Sequence, residues 1–192
     1  MAVIKTQNES ALVCAARDGD KEALHALLTR HWTWLKALVY SVVGDATDLD
    51  DVMQEVCLRV MTRIQTLREP ECFSAWLAMV ARREALKHLR QKGRRRMALE
   101  GDLPQPPTGR AEGPLEDLER KELCRRILDL AGALPPMYRE VFMLAHAGEL
   151  TYAQMAEVLD IPMTTMQIRL VRARRMIRDQ LTRTGESKVQ KR

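Results

Sequence analysis

Apolar residues recur at helical spacing along almost the whole chain, and the recurrence stops in one place, between Gly93 and Pro114. That stretch, GRRRMALEGDLPQPPTGRAEGP, holds four Gly and four Pro and no periodic apolar face. Gly and Pro both oppose regular structure, so the stretch reads as a flexible linker. The chain therefore divides into a first domain over 1–92, a linker over 93–114 and a second domain over 115–192. No segment alternates polar and apolar residues for more than a few positions, so both domains are expected to be all-α.

In the first domain the spacing predicts a helix from Glu9 to Leu28, broken near Gly19, that buries Leu12, Ala16, Ala23, Leu24 and Leu27. A second is expected over His31–Val43, a third over Asp48–Leu67 and a fourth over Phe73–Lys92. The third places Leu49, Val52, Val56, Val60 and Ile64 on one stripe and Asp48, Asp51 and Glu55 on another. The fourth turns Phe73, Trp76, Leu77 and Val80 inward and Arg83, Lys87 and Arg90 outward. Four amphipathic helices joined by short loops predict a helical bundle.

The second domain begins with expected helices over 115–132 and 136–147. Thr151 followed by Gln154 is a capping-box pattern, which opens a short helix over Tyr152–Leu159. Asp160 then sits at a tight turn, and Pro162 suits the first turn of a longer helix that continues to about Leu181. Its inner face is Met166, Leu170, Ala173 and Ile177, which leaves Gln167, Ile168, Val171, Arg172, Arg174, Arg175 and Arg178 outside. A short helix, a tight turn and a longer basic helix form a helix-turn-helix.

The formal charge of +5 hides an uneven distribution. Residues 45–55 carry Asp45, Asp48, Asp50, Asp51 and Glu55 and no cation, whereas 82–96 carry eight cations against Glu84 alone. Residues 161–192 carry nine cations against Asp179 and Glu186. Two basic blocks in two domains point to nucleic acid, and the acidic block points to a partner of another kind. Hydrophobic residues make up 46% of the chain, too many for a disordered polypeptide, and no run approaches the ~18 apolar residues of a membrane helix. The N-terminal MAVIKTQNESALV lacks a charged segment followed by an apolar one, so a cytoplasmic protein is expected. Cys14, Cys57, Cys72 and Cys124 are far apart with no CxxC, which indicates neither a zinc site nor a disulfide framework.

On the basic helix, Gln167 and Arg172 can make bidentate contacts to adenine and guanine, and Ile168 or Val171 can touch a thymine methyl. Arg169, Arg174 and Arg175 are placed to anchor phosphates. On the fourth helix of the first domain, Phe73 and Trp76 precede Arg83, Lys87 and Arg90, a pairing of stacking surface and cationic groove that suits single-stranded nucleic acid. A Phe and a Trp at i and i+3 also suit a core, Trp76 more so than Phe73. The acidic stripe admits three readings: a metal site, acids complementing a helix dipole, or a docking face for a basic partner.

Taken in order, DLDDVMQEVCLRVM, FSAWLAMVARREALKHLRQKGRRR and LPPMYREVFMLAHAGELTYAQMAEVLDIPMTTMQIRLVRARRMI resemble a bacterial RNA polymerase sigma factor of the extracytoplasmic-function group, over about Ala11 to Leu181. The resemblance implies two α-helical domains, called sigma-two and sigma-four, that direct core RNA polymerase to promoter DNA without catalysing a reaction or using a cofactor, metal or small-molecule substrate. It implies that Asp48, Asp51, Gln54 and Glu55 dock on the clamp helices of the largest polymerase subunit, and that the second domain meets the polymerase flap. Phe73, Trp76, Arg83, Lys87 and Arg90 would melt and capture the minus-ten element. Gln167, Ile168, Arg169, Val171, Arg172, Arg174 and Arg175 would engage the minus-thirty-five element. An anti-sigma protein is a further expected partner.

This chain departs from the family pattern in three places. Arg83 stands where many members have Asn, and Asp160 replaces the usual turn Gly. Thr164, Met166, Gln167 and Ile168 replace a common Gly-Thr-Val-Arg/Lys-Ser run, which leaves the start of the last helix less cationic. The rival readings are a stand-alone helix-turn-helix regulator binding operators as a homodimer, and a metal-dependent nuclease using the acidic stripe.

Overall fold

A computed structural model describes the backbone over residues 2–98 and 130–189 and the side chains over 8–94 and 130–182. The chain divides into two units, Met1–Leu103 and Pro104–Arg192. The described residues form helices and turns, without a strand. The first unit contains α1 (Ala2–Arg17), α2 (Lys21–Val43), α3 (Leu49–Arg63) and α4 (Phe73–Ala98), with short 3-10 turns over Ile64–Thr66 and Pro70–Cys72. The second contains residues 130–132 in helical conformation, α5 (Pro136–Ala147), α6 (Tyr152–Leu159) and α7 (Met163–Val189). The expected linker over 99–114, and the helix expected over 115–132 apart from its last turn, lie outside the described residues.

The break between the first two helices falls entirely at 18–20, and α2 then runs unbroken where a gap was expected at 29–30. Gly19 adopts φ +100°, and Asp20 caps α2 by accepting from the backbone N–H groups of Glu22 (2.9 Å) and Ala23 (3.1 Å). Thr29 and Arg30 offer no such stop, so the helix passes through them to Gly44, whose left-handed conformation lets its N–H reach the Tyr40 carbonyl at 2.8 Å.

α2 is the central element of the first unit and packs against α1, α3 and α4. Its core partners are Val13 and Ala16 of α1, Val52, Met53, Val56 and Val60 of α3, and Leu77, Ala78, Ala81 and Ala85 of α4. His31 of α2 is 1% exposed and meets both α1 and α4. Its Nδ1 accepts from Trp34 Nε1 at 2.9 Å, which puts the ring proton on Nε2, and Nε2 faces Glu9 Oε1 of α1 at 3.4 Å. The same ring lies 5.4 Å from that of Phe73 on α4. α4 extends six residues beyond its expected end at Lys92. The helix passes through Gly93 at a cost of about 1 kcal/mol, and the arginines that follow are good helix formers.

In the second unit, Ala131 and Leu134 join Phe142 of α5 and Ala173 and Ile177 of α7 in one cluster. Met155, Val158 and Leu159 of α6 and Met166 and Leu170 of α7 are buried alongside. The capping box forms as the sequence indicates: Gln154 N donates to Thr151 Oγ1 at 3.3 Å, and Thr151 N donates to Gln154 Oε1 at 2.9 Å. Asp160 takes φ +55°, ψ +49°, and ends α6 with its N–H directed to the Ala156 and Glu157 carbonyls.

Two leucines separate core from surface in the first unit. Leu27→Ala, in the packed core, is expected to cost about 2–5 kcal/mol, whereas Leu58→Ala, on the open side of α3, is expected to stay within about 0.5 kcal/mol, both read by urea denaturation.

Candidate nucleic-acid and partner interfaces

The acidic block of residues 45–55 is split by its surroundings into two sets. Asp45 folds back on its own loop, accepting from Thr47 N (3.0 Å) and Thr47 Oγ1 (2.8 Å), and its other oxygen receives Lys92 Nζ of α4 at 2.9 Å. Asp48 stands at the N-cap position of α3 yet makes no side-chain cap bond. Its carboxylate is drawn instead to Lys92 and to His88 Nε2 at 3.2 Å. Asp48 was expected to be a docking residue, and its carboxylate is turned to α4, where the Lys92 ammonium binds it in place of the α3 backbone amides and the His88 ring lies one helical turn away. The rest of the stripe, Asp51, Gln54 and Glu55, is exposed and makes no ion pair among the described residues.

Beside that stripe, Trp32 of α2 and Asp50, Met53, Gln54, Cys57 and Leu58 line an open groove of about 600 Å³. Trp32, Leu58 and Met61 expose large apolar surface here. The sequence reading passed over them because none lies on the buried stripe of its helix. An apolar side chain outside such a stripe was the available signal. Burial pushes the Cys57 thiol above its ordinary range.

The outward face of α4 carries Arg83, Lys87 and Arg90, all exposed. Glu84, 6% exposed, holds Arg59 Nε and Lys87 Nζ, each at 3.0 Å, so Lys87 is fixed while Arg83 and Arg90 make no ion pair among the described residues. Phe73 does not belong to this surface. It is fully buried, because the helix start that carries it is pinned by His31, and it presents nothing to a base in this conformation. Trp76 packs 6.1 Å from Phe73 and remains half-buried, two helical turns before Arg83.

On α7 the buried line is Met166, Leu170, Ala173 and Ile177. Gln167, Ile168, Val171, Arg172, Arg174 and Arg175 all face outward, and Arg169 is half-buried. Arg175 lies 3.8 Å from Asp179, and Arg172 and Arg174 make no ion pair among the described residues. α6 packs against α7 across the Asp160 turn. The helix-turn-helix geometry expected from the sequence is thus present, with the longer helix free along its polar side. Among the described residues no group of three or more His, Cys, Asp or Glu converges as a metal site would require, and no helix is long and apolar enough to cross a membrane.

The two halves of the chain match two families separately: sigma-70 region 2 over residues 27–95 and sigma-70 region 4 over residues 124–177, together more than half of the chain. An "ECF RNA polymerase sigma-E factor" of Haemophilus influenzae is 28% identical over 180 residues, covering 90% of this chain and 95% of that protein. Two solved structures share the fold. CnrH in complex with the cytosolic domain of CnrY has a TM-score of 0.62 at 22% identity over 91% of this chain and 97% of that one. RpoE in complex with the anti-sigma factor NepR from Bartonella quintana has a TM-score of 0.68 at 19% identity over 83% and 96%.

The Asp45–Lys92 pair has a titration signature. The Lys92 hydrogen bond, helped by Thr47, lowers the Asp45 pKa from 3.8 to about 2. Asp48 and then Asp45 raise that of Lys92. A lowered carboxylate stabilises the fold above pH 3.8, and that contribution is lost as pH falls through about 2. A raised amine stabilises it below the ordinary 10.5, and that contribution is lost as pH rises through the folded value. In Lys92→Met, carboxyl NMR titration is expected to show Asp45 rising toward 3.8 and stopping short of it, since Thr47 still donates.

Proposed function

The chain belongs to the extracytoplasmic-function group of bacterial RNA polymerase sigma factors, and from that premise we propose how its surfaces divide the work of starting transcription. A sigma factor directs core RNA polymerase to a promoter class. The observation that carries the assignment of surfaces is the sorting of the acidic block, in which α3 keeps Asp51, Gln54 and Glu55 outward while Asp45 and Asp48 share Lys92 of α4. The outward set docks on the clamp helices of the largest polymerase subunit, with Trp32, Leu58 and Met61 supplying adjoining apolar area.

Arg83, Lys87 and Arg90 of α4 hold the displaced strand at the minus-ten element, and the half-buried Trp76 lies beside them as the aromatic contact for an unstacked base. Prising bases apart costs a few kcal/mol, which a cationic groove and a stacking surface offset. α7 enters the major groove at the minus-thirty-five element, with Gln167, Ile168, Val171 and Arg172 toward base edges and Arg169, Arg174 and Arg175 toward phosphates. The second unit also meets the polymerase flap. Two weak DNA contacts held on one polymerase act as one strong contact, so the free protein binds duplex poorly.

The protein works by binding, with no bond-making step of its own, and it works in the cytoplasm, where polymerase and promoter are. The CnrH and RpoE structures hold partner proteins, the latter called an anti-sigma factor, and a protein of that kind is proposed for this chain as well.

Mixing the protein with core polymerase and resolving the mixture by gel filtration tests the central assignment. A complex is expected, and the triple change Asp51→Ala, Gln54→Ala, Glu55→Ala is expected to abolish it without unfolding the exposed α3 face. Free protein forming no complex with active polymerase, but binding a palindromic duplex as a dimer, would instead support a stand-alone regulator. With holoenzyme on promoter DNA, Arg174→Ala is expected to reduce the slope of log affinity against log salt by about 1, leaving sequence preference unchanged.

A further inference from the structure

The outermost line of α7 is apolar where a DNA-reading helix usually begins to be polar. Thr164, Ile168 and Val171 follow one another at i, i+4 and i+7, and Arg175 continues the line at i+11. Each member stands two residues, about 200° of rotation, from a member of the buried line Met166, Leu170, Ala173 and Ile177. The ridge therefore points directly away from the core. Ile168 is 54% and Val171 65% exposed, the most exposed large hydrophobic side chains in the described part of this unit.

All three leading residues are β-branched. In a helix Ile and Val are held near one χ1 rotamer and Thr is split between two, so the methyl groups of Ile168 and Val171 form a stiff surface that loses little freedom on contact. From Thr164 to Val171 the ridge spans about 10 Å, the length of about three base-pair steps. Exposed cations appear on this helix only from Arg172 onward, where Arg172, Arg174, Arg175 and Arg178 flank and follow the ridge. That charge suits a polyanion, and in the major groove the apolar group on a base edge is the thymine C5-methyl.

We infer that Thr164, Ile168 and Val171 read the methyl groups of two or three adjacent thymines in the minus-thirty-five element. The inference rests on the placement of α7 at that element. Sequence preference at those steps then comes from methyl burial, with Gln167 available to an adenine beside them. Burying one methyl changes binding about fourfold, so two adjacent methyls discriminate by about tenfold or somewhat more.

The test uses holoenzyme reconstituted from this chain and core polymerase, with a promoter library randomised across the minus-thirty-five region. Sequencing the templates that yield transcripts is expected to return elements with adjacent thymines on one strand. On a selected promoter, replacing those thymidines with deoxyuridine removes only the methyl groups and is expected to weaken open-complex formation about tenfold. The exposed-site variants Ile168→Ser and Val171→Ser are expected to respond much less to that replacement. Selected elements without adjacent thymines, or wild-type holoenzyme indifferent to deoxyuridine, would overturn the inference and leave the sigma assignment standing. Indifference to deoxyuridine together with weakened holoenzyme assembly in Ile168→Ser would give the ridge to a protein partner. No transcript from any library member would remove the sigma assignment itself, and this reading with it.

Discussion

Met166, Leu170, Ala173 and Ile177 occupy one line of α7, and a helix turned to bury that line has no rotational freedom left in what it presents on its far side. The same constraint acts on α4, where Leu77, Ala78, Ala81 and Ala85 seat the helix closely against its neighbours. Small side chains on the inner face allow close approach, and the orientation of Arg83, Lys87 and Arg90 follows from that packing. In both units the outward chemistry is thus set by apolar burial. Charge decides which outward groups remain available once the helices are in place.

That second selection is visible around α3. Lys92 and His88 reach the loop before α3 from the far part of α4, and they take up Asp45 and Asp48. Glu84 does the converse for Arg59 and Lys87 from a buried position. A carboxylate between two cations, and an ammonium between two carboxylates, neutralise most of the local charge on the α3–α4 side of the bundle. The exposed groups without an ion pair among the described residues include Asp51 and Glu55 on α3 and Arg83 and Arg90 on α4. Acids left open on one helix and cations on another can meet a basic protein surface and a nucleic acid strand together, with little competition between them.

Local chemistry was legible in the sequence and long-range chemistry was not. The capping box of Thr151 and Gln154, the left-handed Asp160 and the four-residue inner line of α7 are each specified within one helix turn or one tight turn, and each appears as read. The start of α2 was also local, but Asp20 was overlooked as a cap beside the more conspicuous Gly19. The partners of Phe73 and Asp48 were hidden for another reason. Phe73 is claimed by His31 and Asp48 by Lys92, partners 42 and 44 residues away that no helical period reveals. Trp32, Leu58 and Met61 were missed because periodicity finds what is buried and says nothing of apolar residues left over.

The division into two units, each with its own core, also has a consequence in time. Chains emerge from the ribosome N-terminus first at about 5–20 residues per second, so the roughly 90 residues between the ends of α4 and α7 take roughly 5–20 s to add. Helical bundles of this size fold in microseconds to milliseconds. The first unit is therefore complete while the second is still being made. A nascent chain carries a finished α3 surface thousands of folding times before it carries α7 and its exposed arginines.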